Sequence, residues 1–538
     1  MSRILFVVAL VTSFLGISAP AQAEWRVAES DRFVIYSESR TEDLTRFAQK
    51  LEQFHAALEL ATGRKLPVPS PSNRVTVFVV GTLTELKEVY GSRRSGVAGF
   101  YIPRASGSVA FVPAVRIGGG ASNRRSFSRM SSGADSTDFE TVVLLHEYAH
   151  HFLISTSRFG MPRWLSEGAA EFYGSAQFMS DGSMQIGMPA DHRAWELNSA
   201  TIAVEDLLDP ANENVRRYGA FYGRSWLLFH YLAFSEERSG QLQRYWSALQ
   251  QGTPSIEAAK AIFGDLDTLR KELEDYNKLR RLPTLSWSSG NTPVGNVTVR
   301  DLSDGMDAMV PLMMLQKRGV EKEEAVDLLT KVRSVATKYP DDAGVLAALA
   351  EAEYDAGNDA EAIAAADRAL AINSGEKNAY IQKGYALFRM AEEAEDQDAA
   401  YASALEPFFA LNGIENDHPL PLIYYYRSFQ KRELAPPADA RGALERAAVL
   451  APFDESVSMD AGMMLASEGK IQLALYMLGP VASDPHGGEH SAYAQALVSA
   501  IEGTPEGSPF DVSSVPKPEP EEDEGEDGDS DDSKETAA

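Results

Sequence analysis

Residues 142–154, VVLLHEYAHHFLI, decide how this chain is read. Apolar residues surround a His-Glu-x-x-His pattern at the spacing of a helix buried on most of its sides. Residues four apart share a helix face, so His146 and His150 can present their imidazoles to one metal ion, with Glu147 beside them. Neutral imidazole suits zinc. A second stretch follows at residues 161–172, MPRWLSEGAAEF, in which Pro162 favours a helix start. Sixteen residues separate His150 from Glu167, enough for a turn and a return, so the Glu167 carboxylate can supply a third ligand. Glu171, four residues further on, shares that face and is placed to accept a hydrogen bond from a ligating histidine, with His146 the expected donor. Three protein ligands leave one coordination position for water, the pattern of a catalytic rather than a structural zinc. His151 points away and reads as a flank. His55, His192, His230, His418, His486 and His490 lack ligand spacing and read as surface or packing residues.

Upstream, residues 32–37 alternate like a strand, and Thr41 with Glu42 and Asp43 opens a helix whose apolar positions are Leu44, Phe47, Leu51, Phe54 and Leu58. Gly63 sits where that helix stops. Residues 75–80 read as a buried strand, and residues 97–113 as a hairpin turning at Gly107. Residues 116–138, rich in Gly, Ser and Arg, read as a long surface loop, either a solvated connection or a lid. From residue 139 to about 282 the pattern is mainly helical, and residues 282–293, with two prolines, read as a boundary. Beyond it Leu346, Ala350, Ala352, Gly357, Ala362 and Ala369 follow the spacing of a helix-turn-helix repeat of roughly 34 residues. Tyr380, Gly384 and Ala386 recur in that register, and Gly469 with Ala474 repeats the offset of Gly357 with Ala362.

HEYAH followed by WLSEGAAEF resembles the gluzincin zinc metallopeptidases, and the region from Trp25 to Leu282 is similar to bacterial peptidase-MA-like domains that precede tetratricopeptide repeats. The resemblance implies an α+β fold: a thermolysin-like zincin domain, then an all-α tetratricopeptide-like solenoid and a disordered acidic tail. It implies Zn2+ held by His146, His150 and Glu167, Glu147 as catalytic base, and a tyrosine that stabilises the transition state. Tyr222 in the later helix FYGRSWLL is the counterpart, with Tyr218 one turn earlier as the rival. The edge of the residue 97–113 hairpin is expected to pair with an extended peptide, through residues 108–112. No GxMEN motif is present, so amino-terminal trimming is not carried over. Substrates are then peptides or proteins cut internally, and the repeats recruit a partner or substrate on a concave surface. The alternative is a silent peptidase-fold scaffold whose repeats carry the function.

The organisation expected is a signal peptide at 1–23, the metallopeptidase domain at 24–284, a linker at 285–305, helical repeats at 306–505 and the tail at 506–538. Arg3, an apolar run at 4–15 and Ala21-Gln22-Ala23 make the signal, which points to a periplasmic or secreted protein. No later stretch reaches the roughly 20 apolar residues of a transmembrane helix. The 538 residues contain no cysteine, so no disulfide framework is possible. A net charge of -28 argues against nucleic acid or an anionic membrane as partner. From residue 517 to the end, eleven acidic and two basic residues give -9, with almost no large apolar side chain. No GxSxG, P-loop or CxxC pattern occurs, which leaves serine hydrolase, nucleotide hydrolase and thiol redox chemistry without support.

Overall fold

The structure is a computed structural model that describes residues 24–93, 95, 97–114, 139–189, 193–199, 202–209, 219–484 and 487–518. The expected signal peptide, the loop at 116–138, Tyr218, His192, His486 and the tail from residue 519 lie outside the described residues.

The chain is α+β and mostly helical. Its first part runs β1 (Arg26–Glu29), β2 (Phe33–Ser37), α1 (Thr41–Thr62), β3 (Val75–Val80), α2 (Leu83–Tyr90), β4 (Phe100–Ile102) and β5 (Val109–Pro113). It continues with α3 (Phe139–Thr156), α4 (Arg163–Gly174), β6 (Gln177–Phe178), β7 (Met184–Ile186), α5 (Ala194–Ser199), α6 (Val204–Leu208), α7 (Phe221–Phe234), α8 (Gln241–Gln250), α9 (Ser255–Phe263) and α10 (Leu266–Tyr276), then β8 (Leu285–Trp287) and β9 (Thr298–Asp301). Six strands form one sheet in the order β4-β5-β3-β2-β1-β9, with β2, β3 and β5 parallel and the outer pairings antiparallel. The near-continuous apolar run of β3 follows from burial of both its faces. Val75, Val77 and Val79 enter the core shared with α1 and α3, whereas Phe78 and Val80 enter a second core on the opposite face. Helix α1 buries Leu44, Phe47, Leu51, Phe54 and Leu58 against the sheet and ends at Gly63, whose φ of 68° is the left-handed conformation that stops a helix.

The hairpin of residues 97–113 forms as β4 paired with β5. Its open edge differs from the expected one: β5 is paired on both sides, so the free backbone belongs to β4, at residues 100–102. Residues 285–305, read as a linker, are structural. β8 pairs with β7 and β9 closes the large sheet against β1.

Eleven helices follow among the described residues: α11 (Asp304–Arg318), α12 (Lys322–Lys338), α13 (Ala343–Asp355), α14 (Asp359–Ile372), α15 (Lys377–Glu392), α16 (Gln397–Ile414), α17 (Pro419–Gln430), α18 (Ala438–Leu450), α19 (Glu455–Ser467), α20 (Ile471–Ala482) and α21 (Glu489–Ile501). They pack as successive pairs in a repeat-like array. Gly357 and Gly469, with φ of 87° and 77°, turn the chain within two of those pairs, which is why their offsets recur in the sequence. The array is continuous with the sheet, because Val310 and Met314 of α11 pack into the same core as Phe78 and Phe111. Residues 506–518, read as the start of the tail, instead fold back on α19, where the Phe510 amide donates to Ala466 O and Val515 is buried. No helix among the described residues is long and apolar enough to cross a membrane.

Candidate metal centre

Helix α4 lies between α3 and α7 with every residue from Trp164 to Gly174 buried. Small residues make that approach possible. A Cβ on Gly168 would sit 2.5 Å from Ser225 O, and one on Gly174 would sit 2.9 Å from the His146 amide nitrogen. Gly168 therefore lets α4 close on α7, and Gly174 lets it close on α3 at His146.

There the ligand atoms meet. His146 Nε2 is 3.1 Å from His150 Nε2, and Glu167 Oε2 is 3.2 Å from the first and 3.3 Å from the second. Among the described residues these three form the one group of His, Cys, Asp and Glu that could hold a metal ion. The spacing fits a tetrahedral zinc site, since ligands about 2.0–2.2 Å from a central ion stand roughly 3.3 Å apart. Glu167 is wholly inaccessible to solvent, and neither of its carboxylate oxygens has an aligned hydrogen-bond donor. A buried carboxylate in that state calls for a cation.

The electrostatics agree. Burial works against the charge on Glu167, but the flanking His150 and His146 imidazoles outweigh it and hold the carboxyl well below its ordinary range. Burial likewise opposes a charged His146, yet the adjoining Glu167 carboxylate and the charges of Glu171 and Glu147 push it up to about 9.

The surrounding groups orient the ligands. Ser166 Oγ bonds His150 Nδ1 at 3.2 Å, leaving Nε2 turned to the site. Glu171 Oε1 lies 3.7 Å from His146 Nδ1, on the expected side but beyond hydrogen-bond reach. That oxygen accepts instead from Arg193, from Nε at 3.0 Å and Nη2 at 2.8 Å. Arg193 also bonds Glu196 and lays its guanidinium 4.5 Å from the centre of the Tyr222 ring. Glu196 in turn accepts from the Gly223 amide. One arginine, which sequence reasoning missed, therefore ties Glu171 to the helix of Tyr222. Its only local signal is the spacing to Glu196; its partners on α4 and α7 are 22 and 29 positions away.

Tyr222 is half-buried. Burial and then the nearby Glu167 charge raise its pKa against the opposing Arg163 and Arg193, so the hydroxyl stays a donor at neutral pH. Glu147 is half-buried and has no side-chain hydrogen bond or ion pair among the described residues, so it is not committed to holding the fold. The other described histidines have structural partners: His55 bonds Tyr148, His230 bonds Tyr276 and Gly187 O, and His418 accepts from the Leu420 amide. His490 is exposed, 3.3 Å from Glu455. His151, read as a flank, bonds Tyr101 Oη of β4 at 2.6 Å. No protein family, curated protein or solved structure matches this chain.

Proposed function

We propose that the protein is a zinc-dependent peptidase of the gluzincin kind, an endopeptidase or oligopeptidase. The observation that carries this reading is the triangle of His146, His150 and Glu167, the last two buried, with an uncommitted Glu147 on the same helix as the histidines. The two-motif helix pair beside a mixed sheet supports a thermolysin-like zincin domain, and the paired helices with recurring turn glycines support a tetratricopeptide-like array.

His146, His150 and Glu167 would hold the ion. When bound, zinc supplies acidity to a water, lowering its pKa from about 15.7 towards 7, and polarises a carbonyl oxygen. Glu147 accepts the proton as water oxygen bonds the peptide carbon, and returns it to the departing amine as the C–N bond breaks. The Tyr222 hydroxyl donates to the oxygen on which negative charge builds. The free backbone of β4 offers an extended peptide a strand to pair with, which fixes the scissile bond relative to α3.

The test is cleavage of a mixed peptide library by zinc-loaded protein and by its Glu147→Gln variant. The account expects internal cleavage by the first and none by the second at equal zinc content. Equal cleavage by both would remove the mechanism.

A further inference from the structure

We infer that the helical array acts in cis, seating the β4–β5 hairpin and so positioning the strand edge beside the metal centre. This rests on the peptidase reading for its functional consequence, though not for its geometry. The array's expected role was to recruit a separate partner. In the structure a loop of the array already has an occupant, the tip of the hairpin. The Arg104 guanidinium donates to Lys317 O at 3.0 Å and Arg318 O at 2.9 Å, two of the carbonyls left open at the end of α11. Ala105 is buried within the core of the later helices, and its amide donates to Asp454 Oδ2 at 2.7 Å.

The same loop reaches the metal helix. Phe453, next to Asp454, places its ring 4.7 Å from that of His151, which also lies 5.6 Å from the Tyr148 ring and 5.8 Å from the Tyr101 ring. His151 follows the ligand His150 directly and bonds Tyr101, the middle residue of β4. Ile154 of α3 packs on the array core as well. Phe453 and Asp454 thus touch, through one side chain each, the helix that carries the metal ligands and the hairpin that carries the free edge. Further anchors fix the array to the same domain: Ser72 donates twice to Glu415, Asn73 donates to Leu450 O, and Arg158, just past α3, donates to Ala448 O and Met477 Sδ. A three-residue edge strand has little pairing of its own to hold it, so its placement depends on what holds its tip and its central side chain. Phe453 and Asp454 are accordingly positioning residues for peptide binding.

Asp454→Asn isolates the contact. Oδ1 of Asp454 caps α19 through the Val457 amide at 3.0 Å while Oδ2 serves Ala105. An amide has one acceptor oxygen and cannot do both, yet it remains a good helix cap. Phe453→Leu is the second variant, keeping an apolar side chain while removing the ring. Zinc content, amide exchange at residues 100–102, and KM and kcat for a ten-residue peptide and a blocked dipeptide amide are measured in the full chain. Both variants are expected to keep wild-type zinc; exchange in β4 should rise roughly tenfold in Asp454→Asn, the effect of losing one charge-assisted hydrogen bond, and should also rise in Phe453→Leu, which loses the ring contact with His151. KM for the long peptide should rise several-fold with kcat and dipeptide cleavage little changed. Unchanged exchange and KM in both variants would overturn the inference, as would a parallel loss of zinc, which would mark a purely structural role. If the wild-type protein cleaves nothing, the peptidase reading fails, and the exchange comparison still decides whether the array seats the hairpin.

Discussion

At the scale of single residues, Glu167 is a carboxylate without solvent or an aligned donor. Such a group costs several kcal/mol unless a cation faces it. Zinc at 100 times its dissociation constant should therefore stabilise the protein by about 2.7 kcal/mol, and Glu167→Gln should abolish that increment in thermal unfolding. Tyr222→Phe is expected to lower kcat by about 10²–10³-fold with KM nearly unchanged, which steady-state kinetics will show. If kcat holds, Tyr222 is a packing residue, as its half-buried position beside Phe221 would otherwise suggest. Arg193→Gln should weaken zinc affinity by roughly 10–100-fold in competition with a chelator, because it frees the carboxylate that faces His146. That His146 and His150 meet was legible in the sequence because helix periodicity fixes which residues share a face. Arg193 was not, since nothing local ties it to a carboxylate 22 positions earlier.

At the scale of elements, α4 is placed by what it lacks. Gly174→Ala puts a Cβ against the backbone of His146, so α3 and α4 must separate. Overpacking of this kind costs about 1–3 kcal/mol, and here it should also lower zinc affinity, a pairing that denaturant unfolding and metal titration would reveal together. A stability loss with intact zinc binding would mean that the helices accommodate the methyl without moving the ligands. Helix α1 and strand β2 were readable because burial of one face imposes a period on the sequence, and β3 because burial of both faces leaves an apolar run. β8 and β9 were not. They are short edge strands, β9 largely exposed, in a polar stretch with Gly and Pro, so no apolar alternation marks them. The open edge was misplaced onto β5 for a related reason: pairing order is set by topology, and the period of a strand does not report it.

At the scale of the whole molecule, the sheet, helix α3 and the helical array share contacts, and Glu415 is a measurable one. Burial would raise its pKa, but Lys377 and the Ser70 and Ser72 hydrogen bonds hold it down at about 2. A carboxylate depressed in the folded state contributes stability above its unfolded value near 4.5, lost as pH falls through that value towards 2. Denaturation of wild type and Glu415→Gln should therefore diverge at neutral pH, by on the order of 3 kcal/mol, and converge in acid. Divergence that persists at pH 2 would contradict the assignment. What remains is whether the folded chain holds zinc where its ligands meet, and X-ray absorption at the zinc edge of the loaded protein tests that most directly. The account predicts one zinc per chain with two imidazole nitrogens and a carboxylate oxygen at about 2.0–2.2 Å, lost on Glu167→Gln. A chain that takes up no zinc, or one whose zinc signature is unchanged in that variant, would contradict it.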